Sequence, residues 1–323
     1  MPKRLHRKGS PVRGIAGVFD HQTKAALAAL SRTRFTDRGV HDARKRLKEA
    51  RASLRLLRKD LGKTTYRWAN LKLRDAARPF AEVRDAKVLR ERFDGLASQL
   101  EKHRDVVRAV TSYLADERKR ARRMTLAERA RRVSKENVQR ARKKTLSAGK
   151  KSGGWPVAAA GLRRVYGSAR EALREARLRP SVETLHEWRK QVKYLRHALE
   201  ILLPRGAARS TTRSRARPSK AHRRDARVRK GGVLGHRAHR LTDLLGEDHD
   251  LALLGARLVT GRMAGHVHER AVRLIEPRIV ARRTELQRRA FSLGKEFFAR
   301  RPAAFEKDVH AQMRRWPPGD RPR

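Results

Sequence analysis

Apolar residues recur every three to four positions along most of this chain, and long alternations of the kind that mark strands are missing. The clearest case is the stretch VHDARKRLKEARASLRLL, residues 40 to 57. Placed about 100° apart on a helix, Val40, Ala43, Leu47, Ala50, Leu54 and Leu61 form one apolar stripe. His41, Arg44, Lys45, Lys48 and Arg51 fall on an adjoining arc, which Arg55 and Lys59 extend. The pattern predicts a helix from Asp37, as N-cap, to Gly62, as the residue that ends it.

The same pattern returns in LHEWRKQVKYLRHALEIL, residues 185 to 202, where Leu185, Trp188, Val192, Leu195 and Leu199 make the stripe. Aligned without a gap, His41 meets His186, Arg44 meets Arg189, and Lys45 meets Lys190. Lys48 then meets Lys193, and Arg51 meets Arg196. A second pair of elements repeats as well: RPFAEVRDAKVL, 78 to 89, aligns with DLLGEDHDLALL, 243 to 254. Glu82 matches Glu247 there, and Asp85 matches Asp250. Repetition of two elements in the same order points to an internal duplication.

Elsewhere the periodicity predicts helices over 19–32, over 64–93 with a kink at Pro79, and over 96–122 and 125–146. After SAGKKSGGWP, a Gly/Ser/Pro-rich linker at 147–155, the order restarts with helices at 156–178 and 181–203. Further helices follow at 231–260, 265–293 and 295–316. Residues 1–14 read as a disordered basic tail, and 317–323 as a short closing tail. The Arg/Ser/Ala segment at 205–230 has no apolar period and reads as a disordered basic insertion. The expected architecture is all-α: a first helical bundle over 15–146 and a second over 156–316, pseudo-symmetric, sharing a basic cleft or channel.

Composition changes this picture mainly through charge. Lys and Arg total 84 against 33 Asp and Glu, a net charge of +51. Repulsion on that scale calls for a polyanionic partner, and nucleic acid, polyphosphate and anionic membrane surfaces are the classes that qualify. With no cysteine there is no disulfide, thiolate metal site or thiol nucleophile. No stretch is apolar enough for a signal peptide or a membrane span, so a cytoplasmic protein is expected.

At these residues the sequence resembles the CHAD family, the conserved-histidine α-helical domain. VHDARKRLKEARASLRLLR, LHEWRKQVKYLRHALEIL, EVRDAKVL, LLGEDHDLALL and the closing FFARRPAAFEKDVHAQMRRW carry the resemblance, over about residues 15 to 316. It implies two pseudo-symmetric helical bundles around a basic channel that binds inorganic polyphosphate, and an association with polyphosphate granules. The insertion at 205–230 departs from the family's compact pattern.

The candidate polyphosphate ligands are His41, Arg44, Lys45, Lys48, Arg51, Arg55, His186, Arg189, Lys190, Lys193 and Arg196, with Lys72 and its counterpart Arg237. Arg offers a planar fork to phosphate oxygens and Lys a compact charge. Residues one helical turn apart, about 5.4 Å, can track successive phosphates. A single basic helix face is ordinarily just solvated surface; two matched copies are what single this one out. His249 and Asp250 in EDHDL suggest a metal hydrolase, but His249 aligns with Arg84. Asp85 and Asp250 therefore read as carboxylates that orient basic side chains, and no metal or cofactor pattern is present. Aromatic residues are 5% of the chain, too few for a dedicated base-stacking surface. Trp155, Trp188, Tyr194 and Trp316 read as core. The expected function is non-enzymatic polyphosphate binding. The alternative is sequence-independent nucleic-acid binding, helped by the 205–230 segment, in a nucleoid or RNA-associated protein. A phosphotransfer enzyme lacks both a glycine-rich phosphate loop and a convincing general base.

Overall fold

The structure, a computed structural model, describes residues 10–33, 35–125, 128–149, 153–203 and 232–314. The basic insertion, Trp316 and the two end segments 1–9 and 315–323 lie outside the described residues. All regular structure among the described residues is helical: α1 (Pro11–Leu30), α2 (Asp37–Leu56), α3 (Arg58–Ala77), α4 (Ala81–Ala97), α5 (Arg104–Thr125) and α6 (Glu128–Ala148). There follow α7 (Trp155–Leu178), α8 (Val182–Leu202), α9 (Gly232–Met263), α10 (Glu269–Phe297) and α11 (Pro302–Arg314).

Both apolar stripes are buried as the spacing predicts. Val40, Ala43, Leu47, Ala50, Leu54 and Leu61 are at most 7% exposed, and Leu185, Trp188, Val192, Leu195 and Leu199 at most 4%. The boundaries differ in instructive ways. The first helix begins at Pro11, well before residue 19, because Ser10 caps it by accepting from the Arg13 amide and Pro11 sits at its first position. Val12 and Ile15 are fully buried, so residues 11 to 14 are not a tail. The stretch at 64–93 is not one kinked helix: Pro79 sits in a 3-10 turn, Arg78–Phe80, that separates α3 from α4. Residues 100 to 103 lie between α4 and α5 rather than inside a helix. The first signature helix stops at Leu56, short of Gly62, which instead interrupts the next one. Its φ of 75° breaks the helical path inside α3, which only glycine accommodates easily. Ser181 and Thr184 form a reciprocal capping box that starts α8.

The two signature helices sit at the centre. α2 packs on α1, α3, α7 and α8, while α8 packs on α7, α9 and α2. α6 returns to cover α3 and α1, and α9 also packs on α4 and α10. One connected set of buried apolar residues runs from Val12 to Val309, through both halves of the chain. No helix among the described residues is long and apolar enough to cross a membrane.

At one crossing the helices touch backbone to backbone. A Cβ on Gly161 of α7 would lie 2.6 Å from the Leu56 Cα and 2.7 Å from its carbonyl oxygen on α2. Neither atom can move without shifting the helix. Gly161→Ala should therefore cost about 3 kcal/mol in urea denaturation, at the upper end of overpacking effects. A cost under about 1 kcal/mol would mean the crossing is looser than drawn.

Candidate functional site

Because α2 and α8 pack together near the middle of the molecule, their basic arcs face a common region rather than separate solvent faces. Lys48 on α2 lies in the electrostatic field of Arg189 and Arg196 on α8, and Lys193 on α8 in that of Lys48. Arg84 of α4 acts on both lysines. Neither lysine forms an ion pair with a carboxylate among the described residues. Burial comes first and these like charges second in holding Lys48 down at about 7, and the same causes hold Lys193 well below the usual lysine range.

Around Lys48 the surface opens into a groove of about 520 Å³. Arg44, Leu47, Lys48 and Arg51 of α2 line one side, and Arg74, Ala77, Arg78 and Ala81 the other, with no carboxylate in the lining. The Arg44 guanidinium donates to the Ala77 carbonyl at 3.2 Å, and Arg51 donates to the Asn70 side chain at 3.0 Å. These neutral acceptors fix the geometry of the arginines without cancelling their charge. Buried Nε atoms of Arg44, Arg92 and Arg189 have no hydrogen-bond partner. Leaving such donors buried and unpaired is costly, so the site has unspent capacity for an acceptor.

Carboxylates reach this group at several points: Asp75 pairs with Arg74 at 3.3 Å and Glu200 with Arg196 at 3.5 Å. Asp250 of α9 is 3% exposed and stands 3.5 Å from Arg84, 3.4 Å from Arg92 and 3.6 Å from Arg189. Arg84 also pairs with Asp85 at 2.9 Å. Burial works against the charge of Arg84, but Asp250 and Asp85 outweigh it and raise its pKa. Asp85 in turn favours the charged form of Arg44, as Asp250 does for Arg189, although burial lowers both arginines overall. Two carboxylates thus organise a group of arginines that outnumbers them.

His186, His197 and His249 are held toward their neutral forms. His186 and His249 face each other with Nδ1 atoms 3.2 Å apart. Burial first, then neighbouring cations, lowers both, and His249 falls to about 4. Arg196 donates to His239 at 3.0 Å and to His197 at 3.3 Å. His197, 6% exposed and lowered to about 4 chiefly by burial, bonds Glu200 at 2.9 Å. Two imidazoles and the Glu200 carboxylate, 3.5 Å from its Nε, therefore hold Arg196.

The other sequence candidates are dispersed. Arg55 is 8% exposed and stacks 3.4 Å over the Tyr194 ring, so it is packed away from solvent and Tyr194 serves as its platform. Lys190 is bound to Glu187 one turn back on its own helix. His41 and Lys45 are exposed at the N-terminal end of α2, and Lys59 is exposed beyond its C-terminal end. Lys72 lies 5.8 Å over Trp68, which Lys144 of α6 also approaches at 4.5 Å, apart from the central cluster. Arg237 is half-buried on α9. Trp188 is core, as expected, and Trp155 packs flat on His310 while donating to Glu306. Sequence reasoning missed Arg74, Arg78, Arg84, Arg92 and His239, and it set aside His249 because that residue aligns with Arg84. Arg84 and His249 both enter the cluster through partners that the alignment did not suggest: Arg84 through Asp250, and His249 through His186.

Among the described residues, no three His, Asp or Glu side chains are arranged to hold a metal ion. No curated protein matches the sequence. A crystal structure of the CHAD domain from the plant Ricinus communis covers 98% of this chain and 98% of its own, at 17% sequence identity and a TM-score of 0.44. The family model of the CHAD domain matches residues 17–259, which include α2, α4, α8 and nearly all of α9, the helices that supply the cluster. The protein therefore belongs to the CHAD domain family.

Proposed function

We propose that this protein binds inorganic polyphosphate, without catalysing its turnover, in the trough where α2 and α8 meet. One observation carries the reading: Lys48 and Lys193 are held together among Arg44, Arg84, Arg189 and Arg196 without a carboxylate partner of their own. Such a cluster is paid for in stability and makes sense only with a multivalent anion as its missing counter-charge. A linear chain of phosphates fits because it carries closely spaced charge and no bases to be read, so contacts and counterion release suffice. The family's association with polyphosphate supports the same ligand. The matched influence of Asp85 on Arg44 and of Asp250 on Arg189 supports an origin of the two halves by duplication. Association with polyphosphate granules follows from such binding.

A second reading, nucleic-acid binding, draws on Trp68 between Lys72 and Lys144, an aromatic ring flanked by cations on the α3–α6 face. Competition separates the two. Polyphosphate should displace labelled duplex DNA at equal phosphate concentration and moderate salt; displacement in the opposite direction transfers the function to nucleic acid.

Affinity should also depend on pH in a defined direction. Free Lys48 loses its proton near 7, and a bound anion raises that value, so binding takes up a proton above neutrality. Polyphosphate affinity should then fall as pH climbs from 7 toward 10, by up to about tenfold per unit for each such lysine. The free protein should behave oppositely. An unfolded lysine titrates near about 10.4, so between there and 7 the unfolded chain holds the extra proton and stability rises with pH. Calorimetry in buffers of different ionisation heat reads the uptake directly; a buffer-independent heat would remove Lys48 from the site.

A further inference from the structure

The groove beside Lys48 combines two features that a plain anion trap does not need together. Its lining brings four arginines and one lysine amine into one open space of about 520 Å³, with an apolar patch formed by Leu47, Ala77 and Ala81. No carboxylate pairs with the lysine, and no acid lies in the lining. A lysine desolvated among cations is the setting in which an amine becomes a nucleophile at neutral pH. The surrounding arginines meanwhile select molecules that carry a phosphate.

We infer that Lys48 is an acylation site whose substrates are acyl phosphates, small molecules that join an electrophilic acyl carbon to a phosphate leaving group. The phosphate docks on Arg44, Arg51 and Arg78, which share the groove with the amine, while Arg74, also in the lining, is paired with Asp75 at 3.3 Å. The neutral Nζ attacks the acyl carbon, and its lone pair forms the new C–N bond. The tetrahedral adduct collapses with cleavage of the C–O bond to phosphate, which leaves with the bonding pair, and the nitrogen releases one proton to solvent. The product is an amide on Lys48 plus inorganic phosphate, with no further reactant needed. Arginines that stabilise the incoming phosphate also stabilise it as it departs. The amide removes a charge from the point where the arcs of α2 and α8 meet, so acylation would weaken anion binding in proportion to its occupancy. The inference rests on the groove as an anion site and not on polyphosphate being its ligand.

The test uses the full chain, acetyl phosphate at neutral pH, and peptide mass spectrometry to follow each lysine over time. Lys48 should acetylate about tenfold faster than Lys45, the exposed lysine three residues before it on the same helix. Inorganic phosphate should slow Lys48 and leave Lys45 unchanged. With an uncharged donor, N-hydroxysuccinimidyl acetate, the advantage of Lys48 should shrink because no phosphate guides it. Equal rates at the two lysines, faster modification of Lys193, or the same preference with the uncharged donor would each overturn the inference. Long-chain polyphosphate should protect Lys48. Preference for Lys48 without that protection would sink the polyphosphate reading and leave the acylation site standing.

Discussion

Methionine at both Lys48 and Lys193 should give a protein that melts higher and binds polyphosphate at least about a hundredfold more weakly. The binding loss follows from removing two charge-assisted contacts, each worth roughly 1.5–3 kcal/mol. The gain in stability has a separate source. Both lysines are held below their ordinary range by burial and by Arg84, Arg189 and Arg196, with Arg44 acting on Lys48 as well, so each is costly to keep charged in the free protein. Methionine keeps the unbranched length, and its thioether tolerates a partly apolar position. Relief of about 2 kcal/mol at Lys48, after discounting for solvent screening, corresponds to a rise of several degrees in Tm. Opposite signs for stability and affinity are the mark of a site strained for its ligand. A lower Tm with affinity retained would mean that the two lysines are structural.

Asp250→Asn should act in the other direction, destabilising the free protein by about 3 kcal/mol. The carboxylate is 3% exposed and lies within 3.6 Å of Arg84, Arg92 and Arg189, which come from α4 and α8. Without its charge, three guanidinium groups face one another with Asp85 as the nearest compensation. Saturating polyphosphate should restore most of the lost stability, because phosphate oxygens can replace the missing acceptor and charge. Glu285→Gln is the matched control. Its carboxylate pairs with Arg282 and Arg289 on exposed turns of α10, where such pairs contribute little, and thermal melting should be unchanged. If the two substitutions melt alike, Asp250 does not hold the cluster together.

The apolar stripes of α2 and α8 were legible because helical period and burial are tied by geometry alone: a residue on the stripe has nowhere to go but inward. Gly62 was legible as a break for the same local reason, since only its backbone readily takes the positive φ found inside α3, although α2 itself stops earlier, at Leu56. The early start of α1 was missed although Ser10 and Pro11 spell it out, because the basic residues before them suggested a tail. Pro79 was seen as a kink, but a short 3-10 turn satisfies the freed backbone groups better than a bent helix does.

The basic arc was harder to read. Sequence places His41, Arg44, Lys45, Lys48, Arg51 and Arg55 on one side of a helix, and that placement stands. It does not say which neighbour covers that side. Tyr194 takes Arg55, Glu187 takes Lys190, and Trp68 takes Lys72, whereas Lys48 and Lys193 are left facing one another. Arg84 and His249 look unrelated in the alignment, yet each reaches the cluster through a residue far along the chain. By itself the sequence determined the helices, their buried faces, the excess of positive charge and the family, since all of these are written in local spacing and composition. Only the tertiary structure decided which cations are spent on internal partners and which remain for a ligand, because pairing depends on side chains brought within a few ångströms by helices distant in sequence.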